Sequence, residues 1–349
     1  RSQVPREYSM TEIIPFPACA FEASIIQCIP TRVVDGIGHP NFHLAGSGDI
    51  QIHICLNPFK GGGVLQLVCF LSRRVNLFQQ VTAADRKIYT LAVDSEGQGE
   101  TVEFKWAGLP DSLMSEAQVN FLRGDRSLER GNAGSVFRRR ATALGDIVHS
   151  KPVIVGAPSP SVQGIGYANF HATHKNRRSV VYVGANDGML HAFDAITGVE
   201  LFAYVPSALH PALAQLSAPG YVHRPYVDGS PGVGEALVRG KWRTVLTSGM
   251  GMGARGVFAL DVTVPSNFGG ALWEFTERDD AAIGHVTHAP AIAKIKIGIE
   301  DGEPQFANFV VVASGMNNDD AARGALFLLS LDKAPSEKWK RGVNYYKLV

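Results

Sequence analysis

The stretch VVYVGANDGMLHAFDAITGVE, residues 180 to 200, decides the fold. It reads as strand, tight turn, strand, second turn and the start of a third strand. Asn186-Asp187-Gly188 suits a hairpin turn, because these residue types tolerate positive φ. Asp194 with Thr197 and Gly198 suits a second turn, in which the carboxylate caps backbone N–H groups and Gly takes the left-handed position. A sheet this small cannot bury its apolar face alone, so neighbours of the same kind are expected.

Working outward, two more copies of the pattern follow the first. HSKPVIVG precedes SVVYVGANDGMLHAFDAITGVELFAYVP; DGSPGVGEALV precedes WRTVLTSGMGMGARGVFALDVTVPSNFGGALWEF; THAPAIAKI precedes NFVVVASGMNNDDAARGALFLLSLD. Each copy has a Pro before a short apolar strand, then a β-rich run ending in Gly184, Gly249 or Gly315. A second Gly follows (Gly188, Gly256, Gly324), then an apolar strand closed by Asp194, Asp261 or Asp332. The repeats lie near 149–205, 228–275 and 287–332. The Asp-to-Asp steps are 67 and 71 residues, longer than a minimal propeller blade of about 40–50 residues, so inserted loops are expected. Strands that read as continuous apolar runs need cover on both faces, which radially stacked sheets provide. The Asp residues at the strand ends are therefore read as structural turn residues.

The whole chain agrees with a β-rich class. Its 349 residues include 37 Gly and 19 Pro, a turn-rich composition. Lys plus Arg number 33 against 32 Asp plus Glu, a formal net charge of +1, which argues against nucleic acid as partner. Arg138-Arg139-Arg140 reads as a solvated surface corner. No stretch approaches the roughly 20 apolar residues of a membrane-spanning helix. Cys19, Cys28, Cys55 and Cys69 fit no tight zinc pattern; two disulfides in an oxidising compartment and four unpaired thiols both remain open.

The chain divides near residue 80. Residues 1–80 carry apolar runs at 50–56 and 64–71 without sustained periodicity. The expectation for them is an unassigned segment: disordered, part of an upstream domain, or the product of a shifted frame. From Arg86, RKIYTLAV and TVEFKW alternate like strands across a Gly-rich turn, and QVNFLRGDRSLERGN suits a helix ending in a loop. Residues 81–349 are expected to form the propeller domain.

VNFLRGDR (119–126), LGDIVHSKPVIVG (144–156), VVYVGANDGMLHAFDA (180–195), YVDGSPGVGEA (226–236), WRTVLTSGMGMGARGVFALDVT (242–263) and LWEF (272–275) occur in an order that resembles the C-terminal domain of the PilC/PilY family. These are type IV pilus tip-associated proteins of Gram-negative bacteria. The resemblance covers roughly residues 86 to 332 and implies an all-β fold, a modified quinoprotein-like β-propeller. With three recognisable repeats, an incomplete propeller is expected. It also implies a non-enzymatic role in pilus assembly, surface attachment and twitching motility. The expected partners are pilins or minor pilins, and a host or abiotic surface. The expected location is extracellular at the pilus tip or outer-membrane-associated, after export through the periplasm.

Calcium is implied by the family, whose propeller loop has the form DxDxNxD with alternating oxygen ligands. This sequence departs from it. The nearest match, Asn317-Asn318-Asp319-Asp320, is contiguous, and adjacent side chains on an extended loop point opposite ways. Asn317, Asp319 and Asp320 are thus weak metal candidates, with an exposed turn as the plainer reading.

The rival reading is a quinoprotein-type dehydrogenase. AFDAITGVELFAY (192–204) partly matches the tryptophan-docking repeat AxDxxTGxExW, with Phe202 in place of Trp, but that match concerns packing and supplies no general base. GMGMGARG (249–256) joins two strands instead of opening a helix, which argues against a dinucleotide loop. His171 with His174 and His285 with His288 read as surface pairs in polar connections. No catalytic residue and no cofactor-binding residue is assigned. A periplasmic propeller scaffold shares the fold but lacks the LRGDR and LGDIVHS segments. The tripeptide Arg123-Gly124-Asp125 invites an integrin reading, against which its Asp is more simply a turn cap. Binding is expected on loops of one propeller face, at 156–178, 206–228 and 316–323.

Overall fold

The computed structural model describes residues 81–94, 99–110, 113–318 and 323–349. The readings made above for residues 1–80, including the four cysteines, and for Asp319 and Asp320 fall outside the described residues.

Three sheets are built in chain order. The first contains β1 (Ile88–Val93), β2 (Gly99–Glu103), β3 (Val153–Val155), β4 (Val180–Ala185), β5 (Met189–Asp194) and β6 (Glu200–Val205), arranged β2-β1-β6-β5-β4-β3. The second contains β7 (Gly232–Val238), β8 (Lys241–Gly249), β9 (Gly256–Asp261) and β10 (Ala271–Thr276). The third contains β11 (Ala291–Glu300), β12 (Glu303–Ala313), β13 (Leu326–Ser330) and β14 (Tyr345–Leu348). Each is an antiparallel four-strand meander. The first is widened because β1 pairs in parallel with β6, Tyr89 opposite Tyr204.

Sheet stacking explains the continuous apolar runs. Tyr182, Leu190, Phe202 and Tyr204 of the first sheet form one core with Leu246, Phe258 and Leu260 of the second. The opposite face of the second sheet, Val245, Val257, Trp273 and Phe275, packs on Val310, Val312, Phe327 and Leu329 of the third. Every residue of β4, β5 and β9 is accordingly buried. Among the described residues the three layers stack without closing a ring.

The glycines that end the second strand of each meander are demanded by this stacking. A Cβ on Gly184 would lie 2.3 Å from the Val227 carbonyl oxygen, and one on Gly249 would lie 2.1 Å from that of Val286. Both carbonyls belong to the connectors that feed the inner strand of the next sheet. Gly315 meets the His285 carbonyl at 1.9 Å, from the other side of the connector that carries Val286 between the second and third sheets. The spacing of these glycines records where backbones from adjacent layers touch.

The chain ahead of the first repeat widens that sheet, adds to its inner core and covers part of its outer face. RKIYTLAV and TVEFKW supply β1 and β2, and the helix α1 (Glu116–Arg123) starts at a Ser115–Gln118 capping box and stops at Gly124 with φ 114°. Ile147 packs with Val181, Val183 and Phe193, and Ala143 and Leu144 lie against them.

One expectation fails on topology. A meander alternates its connections between two ends, so the 156–178 insertion between β3 and β4, which carries α2 (Tyr167–His174), lies at one end. The 206–228 connector, with the short α3 (His210–Leu213), and the β12–β13 connection lie at the other. The three loops do not share a face.

Candidate functional site

The end of the stack that carries the β4–β5 turn gathers the most polar chemistry. In that turn only Gly188 adopts positive φ, 95°; Asn186 and Asp187 do not need it, because three-residue hairpin loops place just one residue in the left-handed region. Their side chains act across the fold instead. The Asn186 amide donates to Asp146 Oδ2 at 3.0 Å, and its oxygen accepts from the Tyr226 N–H at 3.0 Å. Asp187 Oδ2 accepts from the Gly145 N–H at 3.0 Å.

Behind the turn lies a buried charge chain. His191 Nε2 faces Asp187 Oδ1 at 3.1 Å and its Nδ1 faces Glu200 Oε1 at 2.7 Å. Arg86 binds the same Glu200 carboxylate through Nε at 2.6 Å and Nη2 at 2.9 Å, and donates Nη1 to the Arg123 carbonyl at 2.8 Å. Burial opposes the imidazolium, but Asp187 and Glu200 outweigh it and raise His191 to about 9. Burial likewise opposes the Glu200 carboxylate, and Arg86 with His191 outweighs it, lowering the group to about 2. The Asp–His–Glu order resembles an acid–base relay. Both imidazole nitrogens are engaged and the ring is 0% exposed, so the chain is a brace rather than a site for turnover.

Beside this brace opens a cavity of about 200 Å³. Its walls include Arg138, Arg139, Asp146, Leu216, Tyr221 and His223. Asp146 is paired with His223 Nε2 at 2.9 Å. The arginine triplet is not a uniformly solvated corner. Alternation along extended chain sends Arg140 inward, where Nε meets Glu129 Oε1 at 2.7 Å, and lays Arg138 over the Tyr221 ring at 4.2 Å. Of the three, only Arg139 is exposed.

The remaining sequence candidates are distributed, not convergent. Asp194 Oδ1 accepts from the N–H groups of Ile196 and Thr197 at 3.0 and 2.7 Å, and Gly198 has φ 73°. Asp261 Oδ1 accepts from the Thr263 hydroxyl at 2.6 Å, and its other oxygen pairs with Arg243. Asp332 reaches from the third sheet to the β7–β8 turn, accepting from the Arg239 N–H at 2.6 Å. The integrin reading of Arg123-Gly124-Asp125 is overturned by burial. Arg123 is 4% exposed and its guanidinium donates to the carbonyls of Phe104 at 2.9 Å and Arg86 at 2.8 Å.

The implied calcium finds no ligand set in the described part of the 316–323 loop. Asn317 sits at φ 55°, and the Asn318 amide donates to the Arg323 carbonyl at 3.3 Å. Among the described residues no three His, Cys, Asp or Glu side chains converge as metal ligands. Glu274 was missed from sequence. It is buried between the first and second sheets, accepting from Tyr204 Oη and Ser207 Oγ, both at 2.6 Å. Nothing in LWEF distinguishes its carboxylate from a surface one.

Stacked four-strand meanders with connectors threaded past glycines define a β-propeller-type domain. Residues 144–335 match the family model described as the PilY1 beta-propeller domain, and the chain belongs to that family. It is 45% identical over 192 residues to a type IV pilus biogenesis factor PilY1 homolog of Xylella fastidiosa, covering 53% of this chain and 16% of the relative. It is 37% identical over 277 residues to type IV pilus biogenesis factor PilY1 of Pseudomonas aeruginosa, covering 72% of this chain and 22% of the relative. The chain thus spans about a fifth or less of the length of these relatives. The crystal structure of the Pseudomonas aeruginosa PilY1 C-terminal domain aligns with 33% identity and a TM-score of 0.41, over 53% of this chain and 36% of that one.

Proposed function

We propose that this chain acts in type IV pilus biogenesis as a non-enzymatic, loop-presenting domain. The observation that carries the reading is the family match over 144–335 together with relatives named as pilus biogenesis factors. The quinoprotein-type dehydrogenase and the periplasmic scaffold are not favoured by those relatives. In support of a role without turnover, the relay-like array Asp187–His191–Glu200 has its imidazole sealed from solvent. The proposed partners are pilins or minor pilins, with a host or abiotic surface as a further target, and the proposed location is the pilus tip or outer membrane after export. None of the described helices is long and apolar enough to cross a membrane.

A rigid stack suits such a role because loops held on packed sheets present a surface at little entropic cost. The test is a count of surface pili by electron microscopy in a strain deleted for this gene, with and without retraction blocked. Loss of pili that returns when retraction is blocked supports the reading. Normal pili together with normal attachment overturn it.

A further inference from the structure

We propose that the cavity between the 138–146 segment and the 216–223 connector is a binding pocket for an acidic side chain of a peptide partner. The inference concerns ligand chemistry and does not depend on the pilus reading.

Charge accounting around the cavity is the first support. Arg140 is paired with Glu129 and Asp187 with His191, while Asp146 is engaged by His223 Nε2 at 2.9 Å and by the Asn186 amide at 3.0 Å. That leaves Arg138 and Arg139, and among the described residues neither has a carboxylate within ion-pair distance. Arg138 is held in place without being neutralised. Its Nε donates to the Leu216 carbonyl at 2.5 Å and its plane lies over Tyr221, while burial lowers its pKa from the ordinary value. A guanidinium fixed by stacking presents its remaining N–H groups as a preorganised fork, the geometry that suits the two oxygens of a carboxylate. Arg139, exposed at the rim, adds a second positive charge.

The walls decide between anions. Phe121, Leu122, Ala143, Leu144 and Leu216 line the same cavity, offering apolar surface to the methylenes of a Glu side chain. Inorganic phosphate would leave that surface uncovered. A volume of about 200 Å³ admits a side chain and excludes a folded element. Val222, on the connector that forms one wall, is 80% exposed and gives a neighbouring peptide residue an apolar contact.

The experiment is calorimetric titration of the full chain with a capped peptide carrying one Glu, its Gln counterpart and inorganic phosphate, at low and at raised ionic strength. The Glu peptide binds, and the Gln peptide binds about tenfold more weakly or worse, since a charge-assisted hydrogen bond contributes roughly 1.5–3 kcal/mol. Raised salt weakens the Glu peptide selectively. Arg139→Gln weakens it severalfold with an unchanged melting temperature, because that side chain is exposed. Arg138→Lys keeps the charge and loses the stacked fork, and also weakens binding; Lys296→Gln on β11 leaves it unchanged. Equal binding of the Glu and Gln peptides, binding of phosphate alone, no binding at all, or wild-type affinity in both arginine variants would each overturn the proposal.

Discussion

On the outer face of the first sheet, Val181, Val183 and Phe193 are buried beneath Ala143, Leu144 and Ile147. On the outer face of the third sheet, Leu326, Tyr346 and Leu348 are 38%, 37% and 56% exposed. The register places these last residues together: Ala313 pairs with Leu326 and Leu326 with Leu348, while Leu328 pairs with Val311 and Tyr346. The two faces are alike in composition. What separates them is a covering segment, and polar groups on and beside the covered sheet must then be paired. Arg86, Glu200, His191 and Asp187 are those groups. A strand pattern therefore specifies that a layer should be stacked upon, whereas the covering segment determines how the cost of burial is met.

Glu200→Ala should do the greatest damage, since it leaves Arg86 and His191 buried without their shared anion. A loss of about 3–5 kcal/mol in denaturant unfolding is expected. A loss under about 1 kcal/mol would show that the capped face is held by its apolar contacts alone. Gly249→Ala tests the contact between layers instead of the cap. Its new methyl group would meet the Val286 carbonyl, and overpacking should cost about 1–3 kcal/mol or more, seen as a lower melting temperature.

The brace also predicts a pH signature that the bare face cannot have. His191 is raised from 6.5 to about 9, so its contribution is complete below pH 6.5 and is lost as pH rises through 9. Glu200 is lowered from 4.5 to about 2, so its contribution is present above pH 4.5 and is lost as pH falls through 2. Unfolding free energy should fall by a few kcal/mol between pH 6.5 and 9. His191→Gln should flatten that alkaline slope; an unchanged slope would remove the histidine from the account.

Ser115→Ala removes the N-cap of α1, the helix whose last carbonyl meets Arg86. It should cost about 1 kcal/mol, read as faster amide exchange in α1. Tyr346→Ser on the bare face should change stability by no more than about 0.5 kcal/mol. Its effect should instead appear in light scattering, as less self-association at high concentration. A large loss of stability there would mean that the face is covered in solution.

The repeat was legible because its signals are local or periodic. Apolar runs, the Pro before each inner strand, and Gly184, Gly249 and Gly315 gave three meanders and their stacking. The polar brace was not legible. Arg86 and Glu200 are 114 residues apart, and HAFDA and GVELF look the same whether their charged residues face water or each other. The arginine triplet misled for the same reason, since three adjacent arginines give no sign of which one will find Tyr221 and which Glu129.

The sequence by itself determined the all-β class, the strands of the repeat and the positions where only glycine fits, because period and turn chemistry act over a few residues. Only the tertiary structure decided that 156–178 and 206–228 lie at opposite ends, that Arg123 is buried, and that a brace and a cavity form at one end. Those outcomes depend on which distant segments meet, and pairing over such separations leaves no local mark on the chain.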